Sequence, residues 1–235
     1  MYTVVPLLTG VRNPDQGIMT YQRDYGKPIW LPIYALLVRG NGRTILVDTG
    51  LDEDEAMVPA GFQEQTGLAP LPLTEALAAH GVAPEDVDTV INTHLHDDHC
   101  GNNRLFPGAT HYVQRKELEF QRNPHPLDHR YDEYFTEGVQ FQVLDGDAEP
   151  VPGIRCLLTP GHTPGCQTVV IPTASGDVAL PGQCCNEKNF PDNGPAICPG
   201  VHTDALAAYD SMQRIKALDA RILPTHGLSW ATLRF

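Results

Sequence analysis

Basic residues are scarce in this chain. Lysine and arginine number 16 against 29 aspartates and glutamates, giving a formal net charge of −13 over 235 residues. A phosphate backbone or an anionic bilayer selects for a basic face, so neither nucleic acid nor a membrane is expected as a partner. Long apolar runs are missing too. None reaches the roughly 18 residues that a membrane span requires, and the N-terminus lacks the basic-then-apolar pattern of a secretory leader. There is no repeat and no low-complexity tract. Six cysteines stand at positions 100, 156, 166, 184, 185 and 198, at no spacing that fits a zinc knuckle. A chain of this length with 41% apolar residues does not need a disulfide framework, so reduced thiols in a cytoplasmic protein are expected. No linker interrupts the chain, and residues 1–235 read as a single domain.

What is present is a succession of short apolar strands ending in polar clusters. Residues 3–8 and 33–38 read as strands, separated by a Pro-, Gly- and aromatic-bearing stretch with Tyr21, Tyr25 and Trp30. Gly40-Asn41-Gly42 signals a hairpin into a strand over 44–47. Asp48 follows that strand, where an acidic residue either caps a turn or orients a site. Residues 52–70 read as a surface excursion, 73–80 as a helix stopped by Gly81, and 87–91 as a buried strand. A short helix is expected to open at Cys100, followed by a strand at 110–113 and a helix at 114–121. Residues 122–137, with His125, His129, Tyr131, Tyr134 and Phe135, are either a solvated loop or a lid over a site. Four strands (139–144, 154–158, 167–171 and 178–180) precede a helix over 203–217 capped by Thr203, its faces marked by Leu206, Tyr209, Met212 and Ile215. A last strand covers 221–223. This order suggests two sheets packed face to face with helices outside, an αββα sandwich.

The densest chemistry lies in Thr93-His94-Leu95-His96-Asp97-Asp98-His99. Burying so many ionisable groups unpaired costs several kcal/mol apiece. A metal ion removes that cost by taking neutral imidazoles and carboxylates as ligands. Downstream, His162 sits in the Gly/Pro-fixed loop Thr159-Pro160-Gly161-His162-Thr163-Pro164-Gly165, and His226 follows the last strand in Pro224-Thr225-His226-Gly227. Pro and Gly restrict a loop, which is what holding a ligand in place requires. One strand-end histidine is ordinary. Three such places, one of them a cluster, point to a metal centre.

This pattern, His94-x-His96-x-Asp98-His99, then Gly161-His162, then His226, resembles the metallo-β-lactamase fold superfamily, and the match runs from Leu46-Val47-Asp48-Thr49-Gly50 onward. Pro32-Ile33-Tyr34-Ala35, Ile91-Asn92-Thr93-His94-Leu95-His96, Cys100-Gly101-Asn102-Asn103 and Pro199-Gly200-Val201-His202 resemble its N-acyl-homoserine lactonase-like branch. The resemblance implies a four-layer αββα fold. It implies one ion on His94, His96 and His162, a second on Asp98, His99 and His226, and Asp48 behind them orienting a ligand histidine. It also implies that a metal-bound hydroxide attacks a lactone, ester or thioester carbonyl of a small acyl substrate, with Asp98 relaying a proton to the leaving group. Zinc suits these ligands, and iron or manganese can replace it.

The sequence departs from this pattern at one place. The family sets an aspartate bridging both ions where this chain has Gln183, in Pro181-Gly182-Gln183-Cys184-Cys185. The lactonase tyrosine three positions on falls on Asn186. The Gln183 amide oxygen ligates an ion, or a single ion binds, or Cys184 or Cys185 serves as thiolate; two buried apolar thiols are the structural alternative. Two classes of function follow. One is a hydrolase with segments 11–32 and 122–137 walling the substrate. The acidic surface and the lack of an appended domain disfavour the nucleic-acid-processing and flavin-linked members. The other is a non-hydrolytic metal-bearing binding or sensor protein that lost the bridging carboxylate. If the chain forms a homodimer, the 11–32 segment is where the contact is expected.

Overall fold

The computed structural model describes residues 1–54 and 58–235. Positions 55–57 of the excursion expected over 52–70 lie outside the described residues. Among the described residues, eleven strands form two sheets. The first holds β1 (Thr3–Arg12), β2 (Leu31–Gly40), β3 (Arg43–Val47), β4 (Thr89–Ile91), β5 (Thr110–Gln114) and β6 (Phe141–Leu144), in that order. The first two pairings are antiparallel and the rest parallel. The second runs β11-β10-β9-β8-β7, from β7 (Ala148–Val151), β8 (Ile154–Leu158), β9 (Gln167–Thr173), β10 (Gly176–Leu180) and β11 (Arg221–Ile222).

Side-chain alternation along the strands generates the layers. Leu36, Val38, Ile45 and Val47 of the first sheet meet Val169, Ile171, Val178 and Leu180 of the second in one buried core. Their neighbours point the other way. Ala35, Leu37, Leu46 and Val90 pack under helix α2 (Leu73–Ala78) through Leu73, Ala76 and Leu77. On the far side, Ala208, Met212 and Ile215 are the buried stripe of the long helix α5 (Ala205–Lys216), and Met212 and Ile215 pack with Cys185 and Ala196. This is the αββα sandwich. At about 1.5–3 kcal/mol for each fully buried Leu, Ile or Val, the double-faced β2 is a major source of stability.

The hairpin has the expected geometry. Gly40 pairs with Arg43, and Asn41 and Gly42 both have positive φ, 53° and 74°, as a two-residue turn matched to strand twist demands. Several local expectations need correction. The helix near Cys100 is α3, Asp97–Cys100, so it is built from the cluster itself, and a 3₁₀ turn follows at Asn103–Leu105. Asp204, not Thr203, caps α5, accepting from Leu206 N and Ala207 N at 3.0 Å each. The Thr203 hydroxyl instead donates to Gly161 O, in the loop that carries His162. Leu206 lies 80% exposed rather than on the packed face. Strand β7 was not anticipated, because Pro150 and Glu149 mask its pattern; it is an edge strand, where proline is tolerated. The 52–70 excursion is anchored at its middle: Phe62, which opens helix α1 (Phe62–Thr66), is fully buried edge-on to Trp30.

Candidate metal centre

The chain brings its polar clusters to one end of the sandwich. Asp48 follows β3, His94 to His99 follow β4, His162 follows β8, Gln183 and Cys184 follow β10, and His226 follows β11. Each therefore leaves the carboxyl end of a strand.

His94, His96 and His162 offer nitrogens all within 4.8 Å of one another, and Asp98, His99 and His226 do the same with their ligand atoms. All six are buried. Each imidazole has one nitrogen engaged away from the cluster. His96 Nε2 lies 3.1 Å from Asp128 Oδ2, His99 Nδ1 2.7 Å from Asp48 Oδ2, His162 Nδ1 2.9 Å from Val201 O, and His226 Nδ1 2.9 Å from Pro32 O. Thr93 Oγ1 donates to Asp48 Oδ2 at 2.7 Å and so accepts from His94 Nδ1 at 3.1 Å. These partners put the ring proton on the outer nitrogen and turn the lone pair of the other inward. His94 Nε2 and His96 Nδ1 consequently face each other at 2.9 Å. Two inward lone pairs at that distance repel unless a cation lies between them. The donor set thus fits a divalent ion.

The charges agree. Burial holds His94 and His162 well below the ordinary imidazole range and brings His96 and His226 down to about 4, so all four are neutral. Burial acts against the charge on His99 as well, but the Asp98 and Asp48 carboxylates outweigh it and raise its pKa. Burial pushes Asp98 up, yet His99, His226 and Arg12 prevail and hold it well below the usual carboxylate range. Its Oδ2 lies 3.7 Å from His99 Nε2 and 3.9 Å from His226 Nε2.

Asp48 unites the two roles open to it. It has φ 58°, a left-handed turn position that Asp tolerates. It also accepts from Thr93 N, Thr93 Oγ1 and His99 Nδ1, each at 2.7 Å.

Gln183 is fully buried. Its Nε2 donates to Thr159 O at 2.7 Å and to Pro160 O at 3.3 Å. Flipping the amide would set its oxygen against two carbonyls, so this orientation is fixed. Gln183 Oε1 is then buried with no hydrogen-bond partner among the described residues. Cys184 lines the cavity at the cluster with Sγ 3.7 Å from Met19 Sδ, outside both ligand triads, and burial raises its thiol. Cys185 points away into the α5 core, and none of the six cysteines is bridged. Asn186 is committed to the local fold, donating to Gln16 Oε1 and accepting from Lys188 N.

Three important residues escaped the sequence reading. Asp128 holds His96, and its own partner is Arg130, which grips it through Nε at 2.7 Å and Nη2 at 2.8 Å. Glu117, fully buried on helix α4 (Arg115–Arg122), accepts from Leu95 N, Tyr131 Oη, Thr163 Oγ1 and Gly165 N. Burial raises its pKa against those four bonds. Gly165 must be glycine here: a Cβ would lie 2.1 Å from Glu117 N. The available signal was a glutamate on a charged helix, which is indistinguishable from a solvated one. A cavity of about 130 Å³ opens at the cluster, walled by Arg12, Pro14, Ile18 and Leu31 from one flanking segment and Arg130 from the other. A larger hollow of about 690 Å³ near Leu118, Tyr134 and Phe141 holds none of the clustered imidazoles.

Residues 28–227 match the metallo-beta-lactamase superfamily. An N-acyl homoserine lactonase of Bacillus thuringiensis is 34% identical over 205 residues, covering 81% of this chain and 78% of that protein. The human metallo-beta-lactamase domain-containing protein 1 is 32% identical, covering 99% of this chain and 83% of its own length. Among solved structures, a quorum-quenching N-acyl homoserine lactone lactonase aligns with TM-score 0.78 at 27% identity, over 97% of this chain and 93% of the other. An N-acyl homoserine lactone hydrolase with N-hexanoyl-L-homoserine at its catalytic metal center aligns with TM-score 0.77 at 28% identity, over 96% and 93%. Sandwich, strand-end clusters and likenesses lead to one conclusion: this chain belongs to the metallo-beta-lactamase superfamily and is a metallo-hydrolase of its lactonase-like branch.

Proposed function

We propose that the chain hydrolyses a small lactone, ester or thioester using zinc held by His94, His96 and His162 and by Asp98, His99 and His226. The observation that carries this reading is the division of labour on the five imidazoles, outer nitrogens engaged and inner ones converging. Imidazole and carboxylate donors suit zinc, and iron or manganese accept the same set. A bound divalent ion lowers the pKa of a water and polarises an acyl carbonyl.

The chain's own residues do the rest. Asp98 is ionised and borders the cavity, so its carboxylate can take the proton of the attacking water and return it to the leaving oxygen or sulfur. The acyl bond to that atom breaks as the new C–O bond forms, giving a carboxylic acid and an alcohol or thiol. Ile18, Leu31 and Val201 give the cavity an apolar side that keeps bulk water from the reacting carbonyl. Six unbridged thiols suit a reducing compartment such as the cytoplasm. Among the described residues no helix is long and apolar enough to cross a membrane.

The test is turnover by purified protein on a panel of lactones, esters and thioesters, with and without chelator, alongside elemental analysis. Chelator-sensitive hydrolysis of at least one class, with zinc in the protein, is expected. A protein that binds metal yet hydrolyses nothing on the panel would overturn the reading.

A further inference from the structure

The cavity wall carries two guanidinium groups. Arg12 and Arg130 both line it, in a chain with only 16 basic residues. Each is held by an aspartate outside the set of residues that line the cavity: Asp97 on Arg12, at 2.5 Å from Nη2 to Oδ2, and Asp128 on Arg130. The two arginines line this cavity and their aspartate partners do not, which is the arrangement that orients an arginine toward a ligand. Arg130 uses Nε and Nη2 on Asp128. Its Nη1 bears two further N–H groups.

Arg130 also borders a second hollow of about 460 Å³, where Phe120, Leu127, Val201 and His202 line the wall together with Asp128, so the free face of the guanidinium is the one toward the metal cluster. It therefore stands between the metal cluster and a larger space. A neutral lactone or ester has no use for a guanidinium there. A substrate with a negative group a few atoms from its scissile carbonyl does, and a partly desolvated charge-assisted hydrogen bond discriminates by roughly 10- to 100-fold. Resting on the hydrolase reading above, we propose that the substrate is an ester, thioester or lactone bearing an anionic group, carboxylate or phosphoryl, held by Arg130 beside the metal cluster.

The experiment uses the zinc-loaded protein and matched 4-nitrophenyl esters of four- to six-carbon diacids. The distal end is a free carboxylate in one series, the neutral carboxamide in the second, and a phosphate monoester of the same length in the third. In the wild type, kcat/KM for the best anionic ester exceeds that for its carboxamide by at least tenfold, chiefly through KM, and the advantage shrinks as ionic strength rises. In Arg130→Gln the ratio collapses to within about twofold, and Arg130→Lys keeps part of it. A phosphate ester favoured over the carboxylate identifies the natural anion as phosphoryl, and the reverse order as carboxylate.

Wild-type ratios near one, with both esters hydrolysed in a chelator-sensitive way, overturn this inference and leave the hydrolase reading intact. Equal losses on charged and neutral esters in Arg130→Gln also overturn it, since Arg130 then acts only through Asp128 and His96. If no ester turns over, the hydrolase reading fails on its own. Calorimetry then decides the anion site: adipate binding tenfold tighter than its monoamide in the wild type but not in Arg130→Gln upholds it, and equal affinities reject it.

Discussion

Asp48→Asn isolates how one residue sets the state of a metal-facing nitrogen. Asparagine keeps the size of aspartate and tolerates φ 58°, so the backbone need not move. The amide has two orientations. With its oxygen toward Thr93 N, the NH₂ faces Thr93 Oγ1 and His99 Nδ1, both now 2.7 Å from Asp48 Oδ2. His99 Nδ1 must then accept, and its proton moves to Nε2, the atom that faces Asp98 and His226. With the amide reversed, NH₂ opposes Thr93 N–H and one buried donor is stranded, at about 1–3 kcal/mol. In the first case the half-site containing His99 loses its outer acceptor and in the second it keeps only a neutral one, so it weakens, by up to about 10- to 100-fold. The His94/His96/His162 half-site loses less, because Thr93 can still accept from His94. Zinc titration against a competing chromophoric chelator measures both affinities, and ¹⁵N NMR of the histidine rings reports the tautomer. Two affinities within twofold of wild type would refute the reasoning, and the position of the His99 proton tells which of the two orientations the amide adopts.

Three further outcomes are expected. His96 and His226, brought by burial to about 4 from roughly 6.5 in an unfolded chain, resist protonation in the fold. Metal-free protein should therefore lose stability as pH falls from about 6.5 towards 4, by up to roughly 3 kcal/mol per histidine; a melting temperature flat across that window in chelator would contradict this. Glu117→Gln leaves either Leu95 N or Gly165 N without its acceptor, depending on which way the amide turns, so a loss of about 1–3 kcal/mol and weaker zinc binding are expected, read by thermal unfolding with chelator and by zinc titration. Unchanged values in both would sink the role given to Glu117. Gln183→Asp supplies a charge but is a methylene shorter and donates nothing to Thr159 O and Pro160 O. It should raise zinc stoichiometry towards two while lowering the melting temperature of the metal-free protein, measured by elemental analysis and calorimetry.

The layered fold was legible because β2, β3, β9 and β10 are buried on both faces and so read as short continuous apolar runs, whose order along the chain implies two sheets with helices outside. The six ligand-type residues were legible because they crowd into rigid turns at strand ends, and the structure gathers them into two triads. What lay hidden depends on contacts between distant segments. Thr203 satisfied every local rule for a helix cap, but Gly161 O claimed its hydroxyl and Asp204 took the helix. Asp128 and Arg130 sit in a stretch that reads equally well as solvated loop, and only the fold sets them 3.1 Å and one ion pair from His96. Gln183 was legible as a departure, yet its grip on two carbonyls was not, since nothing local to it names Thr159.

The four bonds to Glu117 bear on how such a site can change. Leu95, Tyr131, Thr163 and Gly165 come from three separate stretches, and all end on one buried carboxylate. The 122–137 segment is thus pinned at Tyr131, directly over His96, where their rings meet edge-on at 4.7 Å. Substitutions or insertions between 123 and 127 can reshape the approach to the cluster while leaving the ligands where they are. Changes at 131 travel straight into both the His96 turn and the His162 loop. New specificities in this scaffold should therefore accumulate on the near side of that pin, with the far side staying fixed.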